Sequence, residues 1–206
     1  MTRTVNEKRP TELLDAIVNY LVVHGVADLS LRPLAKAIGS SPRGLLYYFG
    51  SKEKMVDRAL ARVRENQRAL YAEMYLAKFE SPSAAYLAIW KHMSAPESEP
   101  MFRLFFEVYG LALRQPERFR PFLRETIEDW LDSVADADFE RQYGRQRARA
   151  IATILLAGFR GFMLDYCASH DRKRLDQAVS LWLESLETIP PHLSPITERH
   201  THEKSR

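Results

Sequence analysis

The 206-residue chain has a single cysteine, Cys167, which excludes an intramolecular disulfide framework and fits a reducing compartment. It has no run of about 18 apolar residues, the length that crosses a bilayer, and Met1 to Pro10 is polar, unlike a secretory leader. A cytoplasmic protein without a membrane partner is expected. Strand signals are missing as well. No segment alternates apolar and polar residues over the length of a strand between turn residues, so no sheet is predicted.

Signatures of catalysis and cofactor binding are equally scarce. The eight glycines include no G-x-G-x-x-G. Gly39 and Gly44 have the spacing of a phosphate-binding loop, but Leu45 and Leu46 stand where Lys and Ser or Thr must hold phosphate and magnesium. H-E-x-x-H and G-x-S-x-G are absent. Cys167 and His170 lie one helical turn apart and His192, His200 and His202 crowd the end of the chain, yet one thiol is thin material for a metal site. No cofactor, no metal and no enzymatic activity are therefore expected. The rival readings are an all-α small-molecule carrier or enzyme, and a helical interaction protein that does not bind DNA.

What is present begins with the distribution of charge. The net charge is only +3, but Met1 to Lys54 holds eight Lys or Arg against five Asp or Glu, so this quarter accounts for the whole excess. A basic N-terminal end suits a polyanion. Within it, Thr11 to His24 carries an apolar stripe of Leu13, Leu14, Ile17, Val18, Leu21 and Val22, and Gly25 stops the helix. Ser30 then caps a short helix from Leu31 to Ile38, which Gly39 ends. Ser40 or Ser41 caps a second one with Pro42 at its first position. Two short helices joined by so tight a turn make a helix-turn-helix. In the second helix Leu45, Leu46 and Phe49 are the expected apolar anchors. Arg32, Ser41, Pro42, Arg43, Gly44, Tyr47 and Tyr48, with Lys52 at the start of the next helix, form the candidate DNA-binding surface. Arg43 is the candidate for reading a guanine edge; Arg3, Lys8 and Arg9 offer an arm for phosphate, although an ordinary disordered terminus is the better account of that segment.

The run GSSPRGLLYYFGSKEKM resembles the recognition segment of the TetR/AcrR family of bacterial transcriptional regulators. Gly39, Ser41, Leu45, Tyr48, Phe49, Ser51, Lys52 and Glu53 match that pattern, and Ser40, Gly44 and Leu46 depart from it. About a quarter of the chain carries the likeness. It implies a DNA-binding regulator, Lys52 near phosphate, a ligand site in the C-terminal part, and dimerisation through the last two helices.

The remainder is punctuated by prolines. Helices are expected over 52–78, 82–95, 101–115, 121–134, 136–169 with a break near Gly144, and 171–187, giving an all-α chain of about nine helices. Pro116 is expected to end one helix before Pro121 begins another. On the helix over 52–78, Arg64 and Arg68 are expected to face away from the apolar stripe. Residues 1–50 form the expected three-helix DNA-binding domain, 51–189 a ligand-binding and dimerisation domain, and 190–206 a polar tail. Aromatic residues are dense between Phe79 and Tyr166. A bundle lined this way can be solid core or can leave a cavity, and the family resemblance implies a ligand site: Trp90, Phe102, Phe106, Glu107, Trp130 and Phe159 are then the candidate ligand-binding residues, with His92, Arg103 and Arg160 as polar neighbours for an apolar, ring-containing effector. The expected enclosed void is about 300 Å³ or more. Ala157, Gly158, Gly161, Phe162 and Leu183 are the candidate dimer interface, the small residues permitting close helix approach; Gly158 and Gly161 could instead ease packing within one subunit. The combined expectation is a homodimeric, ligand-responsive repressor on double-stranded palindromic DNA.

Overall fold

A computed structural model describes residues 8–76 and 79–188; Arg3 and the polar tail lie outside the described residues. Among the described residues there are ten helices and no strand. They are α1 (Lys8–His24), α2 (Leu31–Ala37), α3 (Pro42–Phe49), α4 (Lys52–Leu76) and α5 (Pro82–Met93), then α6 (Glu99–Arg114), α7 (Pro116–Val134), α8 (Ala137–Tyr143), α9 (Arg145–Ser169) and α10 (Arg172–Glu187).

The tenth helix arises at Gly144, whose φ of 77° and ψ of 145° divide the expected 136–169 helix into α8 and α9. Asp136 caps α8 by accepting the Phe139 N–H at 2.8 Å. Pro116 corrects the expected boundary: it opens α7, and Pro121 lies inside that helix. The chain breaks at Gln115 instead (φ −131°, ψ 61°), so Pro116 falls at the first position, where its missing N–H costs nothing. Pro121 forfeits one bond, to the carbonyl of Glu117, on a side of the helix exposed to water.

Apolar faces from these helices build two cores. The first gathers Leu13, Ile17, Val18 and Leu21 of α1, Leu34 of α2, Leu45 and Phe49 of α3, and Met55, Val56, Ala59 and Leu60 of α4. Each fully buried Leu or Ile there contributes about 1.5–3 kcal/mol. This core continues past residue 50 and past α4, since Leu104, Val108 and Ala112 of α6 and Phe119 of α7 join it. The second core contains Ile89, Trp90 and Met93 of α5, Leu131 and Val134 of α7, and the inner faces of α9 and α10. Helix α6 therefore belongs to both ends of the molecule: its Leu104 edge seals the first core, and Phe102 and Phe106 pack on the second.

Helix α9 is long and apolar enough, by length and composition, to cross a membrane, although charged residues interrupt its apolar sequence. In the fold its face of Ala148, Ile151, Ala152, Leu155, Phe159, Met163 and Tyr166 is buried against α7, α8, α6 and α10.

Candidate nucleic-acid interface and apolar cavity

The turn between α2 and α3 is built as its residues dictate. Gly39 adopts φ 66° and the Ser40 N–H reaches back to the Ala35 carbonyl at 2.8 Å, closing the end of α2. Open space surrounds the position of a Cβ on Gly39, so the backbone angle alone requires glycine there. Ser41 caps α3, its Oγ accepting the Gly44 N–H at 3.0 Å, with Pro42 at the first position. Leu45 and Phe49, four residues apart, point into the first core at 1% and 4% exposure.

Those anchors fix which side of α3 faces out. Arg43 and Tyr47 are exposed, as are Arg32 and Ser41; Pro42, Gly44, Tyr48 and Lys52 are half-buried. Tyr47 packs edge-on against Tyr48 at 5.3 Å, and Tyr48 leans on the first core. Leu46 corrects the anchor set. It lies about 100° around the helix from Leu45, is 39% exposed, and adds an apolar contact to the outward face. Among the described residues, Arg32, Lys36, Arg43 and Lys52 have no carboxylate at ion-pairing distance, although the surface elsewhere is laced with such pairs. Cations without a carboxylate partner at the surface are suited to phosphate.

Lys52 stands at the first turn of α4, where Ser51 accepts the Lys54 N–H at 3.1 Å. Glu53's own backbone N–H and then the Ser51 side chain, by hydrogen bonding, hold the Glu53 carboxyl below its ordinary pKa.

A second feature is a cavity of about 140 Å³ between α4, α5, α6, α7 and α9. It is smaller than the void expected from the aromatic count, and it is not fully enclosed. Phe102, Phe106, Trp130 and Phe159 line it, joined by Phe105, Phe122, Val63, Met93, Met101 and Met163. Its polar lining is Arg64, Gln67, Arg68, Thr126, Asp129, Ser133 and Arg160. Arg64 pairs with Glu125 and, at 3.4 Å, with Asp129, which also faces Arg68 at 3.7 Å. Arg64 thus departs from its expected outward position, because the packing of α4 on α7 turns it toward the cavity.

Two candidates lie elsewhere. Trp90 is 1% exposed and off the cavity: its Nε1–H donates to Asp176 at 2.6 Å, tying α5 to α10. Glu107, one residue beyond Phe106, points away from the cavity and accepts the backbone N–H groups of Val26 at 2.9 Å and Ala27 at 2.6 Å. It holds the loop between α1 and α2, 80 residues away in the chain. Of the polar neighbours, Arg103 is exposed and bound to Glu99 at 2.7 Å, and His92 is not on the lining, so Arg160 alone of that group reaches the cavity.

The candidate interface also divides. Gly158 has no room for a Cβ, because the Trp182 ring would lie 2.2 Å from it; its missing side chain serves α9–α10 packing within the subunit. Leu183 is 2% exposed and belongs to the second core, and Phe162 packs edge-on against Trp90 and Trp182. Ala157 and Gly161 are exposed, and they fall on a stripe with Ile154, Leu164 and Ala168. That spacing of alternating threes and fours keeps one helix face, and on α10 Leu181 is 67% exposed.

The family model for bacterial regulatory proteins of the tetR family matches residues 13–59, which take in most of α1, all of α2 and α3, and the start of α4. Among curated proteins none matches the chain. Solved structures with the same fold include a transcriptional regulator from Rhodococcus sp. Rha1, with a TM-score of 0.74 at 18% identity over 90% of this chain and 99% of that one. A Rhodococcus sp. protein assigned to the TetR family of transcriptional regulators gives 0.68 at 20% identity, over 87% and 97%. The multidrug binding protein EbrR, in complex with imidazole, gives 0.61 at 20% identity, over 91% and 97%.

Proposed function

We infer that the chain is a DNA-binding transcriptional regulator of the TetR family, and that it acts as a homodimeric repressor released from a palindromic operator by a small molecule. The division of labour follows the expected one. Residues 1–50, joined by Lys52 at the start of α4, bind DNA, and the rest of 51–189 holds the effector and the partner subunit.

On DNA, α3 enters the major groove with Arg43 and Tyr47 toward base edges, while Arg32, Tyr48 and Lys52 engage the sugar-phosphate backbone on either side. Ser41, Pro42 and Gly44 form the close-approach end of α3. Two copies related by a two-fold axis read two half-sites about one helical turn apart. The apolar stripe of Ile154, Ala157, Gly161, Leu164 and Ala168, with Leu181, is the surface that supports pairing: two α9–α10 pairs would close a four-helix bundle over it.

The observation that carries the ligand-responsive reading is the double duty of α6. Phe102, Phe105 and Phe106 line the cavity, and the next residue, Glu107, grips the Val26 and Ala27 N–H groups at the entrance to α2. An effector that fills the cavity and displaces α6 moves that grip, and with it the spacing of the two recognition helices. The shift is bounded by the effector's differential affinity for the two states.

The test is binding of the purified full chain to its own upstream DNA, by fluorescence anisotropy at low salt, with its mass followed by sedimentation. The expected result is a dimer that protects two half-sites. A monomer, or a protein with no preference for any upstream fragment over random DNA, overturns the reading.

A further inference from the structure

We propose that the cavity takes a small monocarboxylate with an aromatic or short aliphatic body, and that Arg160 binds its carboxylate. The proposal rests on the reading of the cavity as the effector site and specifies its ligand.

The argument starts from unbalanced charge. Three arginines, Arg64, Arg68 and Arg160, meet one carboxylate, Asp129, on the cavity lining. Asp129 is already shared between Arg64 and Arg68, and Glu125 also serves Arg64. Among the described residues Arg160 has no carboxylate at ion-pairing distance, and its hydrogen-bonding partner is the Tyr109 hydroxyl, 3.3 Å from Nη1. The Phe105 and Tyr109 rings lie 5.4 and 5.2 Å from its Cζ.

A guanidinium cannot shed its proton in a protein, so burial without an opposite charge has a cost that the rings offset only partly. That cost is visible as a pKa pushed below the ordinary arginine value by desolvation. The two rings, their centroids 5.5 Å apart, lie toward one side of the guanidinium, and a carboxylate binds it in the plane, along pairs of parallel N–H groups, most of which are uncommitted here.

Size and wall chemistry set the rest of the ligand. A volume of about 140 Å³ is close to that of an apolar cavity of about 150 Å³ known to take benzene. The cavity walls include Phe102, Phe105, Phe106, Trp130 and Phe159, of which Phe105 lies against Arg160, and they suit one ring or a short chain. Inorganic phosphate would satisfy the charge and leave these walls empty. A neutral ligand would fill the walls and leave Arg160 uncompensated, and a cation would be repelled.

The test uses the full-length protein with benzoate, phenylacetate and hexanoate, each paired with its primary amide, and with inorganic phosphate as control. Calorimetry and thermal unfolding report binding. At least one acid should bind about tenfold more tightly than its amide, the ratio of one charge-assisted contact, and phosphate should not bind. Arg160→Gln should abolish the preference for acid over amide, and Arg160→Lys, which keeps the charge without the planar fork, should retain part of it. Equal binding of acid and amide, or a preference that survives in Arg160→Gln, overturns the carboxylate assignment and leaves the cavity as an effector site. Absence of binding by every acid and every amide overturns both.

Discussion

Glu107 on α6 accepts the backbone N–H of Val26 at 2.9 Å, and that bond, with its twin to Ala27, is the polar tie between the cavity helix and the loop that leads into the helix-turn-helix. Gly25 adopts φ 75° beside it, and a Cβ there would sit 2.4 Å from the Glu107 carboxylate, so glycine is needed both for the turn and for the approach. Hydrogen bonds to a charged group are worth about 1.5–3 kcal/mol. Glu107→Ala should lower stability by about that amount in urea unfolding and should blunt effector-induced release of DNA more than DNA binding itself. A variant with wild-type stability and wild-type release would remove α6 from the coupling.

The Gly158 and Trp182 pair makes a second prediction, and it separates folding from assembly. Gly158→Ala forces the Trp182 ring out of its place between Phe159 and Phe162, with an overpacking cost of about 1–3 kcal/mol. Reduced thermal stability should accompany it whatever the dimer does. Ile154→Glu or Leu164→Glu should leave helicity intact and shift sedimentation to the monomer, because those side chains are exposed in the subunit. A dimer that tolerates either glutamate places the interface on another face.

What the sequence made legible was local. The Ser41 cap, the Gly39 turn and Pro42 act on neighbours within a few residues, so the helix-turn-helix could be drawn from their order alone. Leu45 and Leu46 show the limit: both are apolar, and only the i, i+4 relation of Leu45 with Phe49 decides which one goes inside. Pro116 and Pro121 were equally ambiguous, since either can open a helix and the break depended on Gln115. Long-range partners left no trace in the sequence. Glu107 next to Phe106 reads as a cavity residue until the fold brings Val26 to it, and Gly158 reads as an interface residue until Trp182 is seen against it.

Tyr86 gives a pH-dependent prediction. Burial, aided by the negative charge of Asp136 and by Tyr143, pushes its hydroxyl from 10.0 up to about 12. The neutral form is favoured in the folded state, so the associated stability is complete below pH 10 and disappears as pH rises from there through about 12. A shift of this size corresponds to about 3 kcal/mol at the alkaline end. Tyr86→Phe should flatten the fall in urea midpoint over that window. A parallel decline in both proteins would assign alkaline unfolding to other groups.

The last prediction separates the two kinds of DNA contact proposed for α3 and α4. Lys52 sits half-buried at the start of α4 without a carboxylate partner among the described residues, beside the free N–H groups of a helix N-terminus, so it should bind phosphate. Phosphate binding carries no sequence information and releases counterions. Lys52→Ala should therefore weaken binding to specific and random DNA by a similar factor, and it should reduce the log–log salt slope by roughly 0.9 for each phosphate no longer neutralised. Arg43 is exposed on the outward face of α3 and also lacks a carboxylate partner among the described residues, so its fork is available for a guanine edge. Arg43→Ala should cost about 1–3 kcal/mol on the operator, relax selectivity at one base pair in each half-site, and leave random DNA almost unaffected. Anisotropy titrations of both variants across a salt series, on the operator and on single-base variants of it, read all of these quantities together. If Arg43→Ala lowers affinity for every sequence equally, Arg43 binds the backbone and base reading must come from Tyr47 and Leu46.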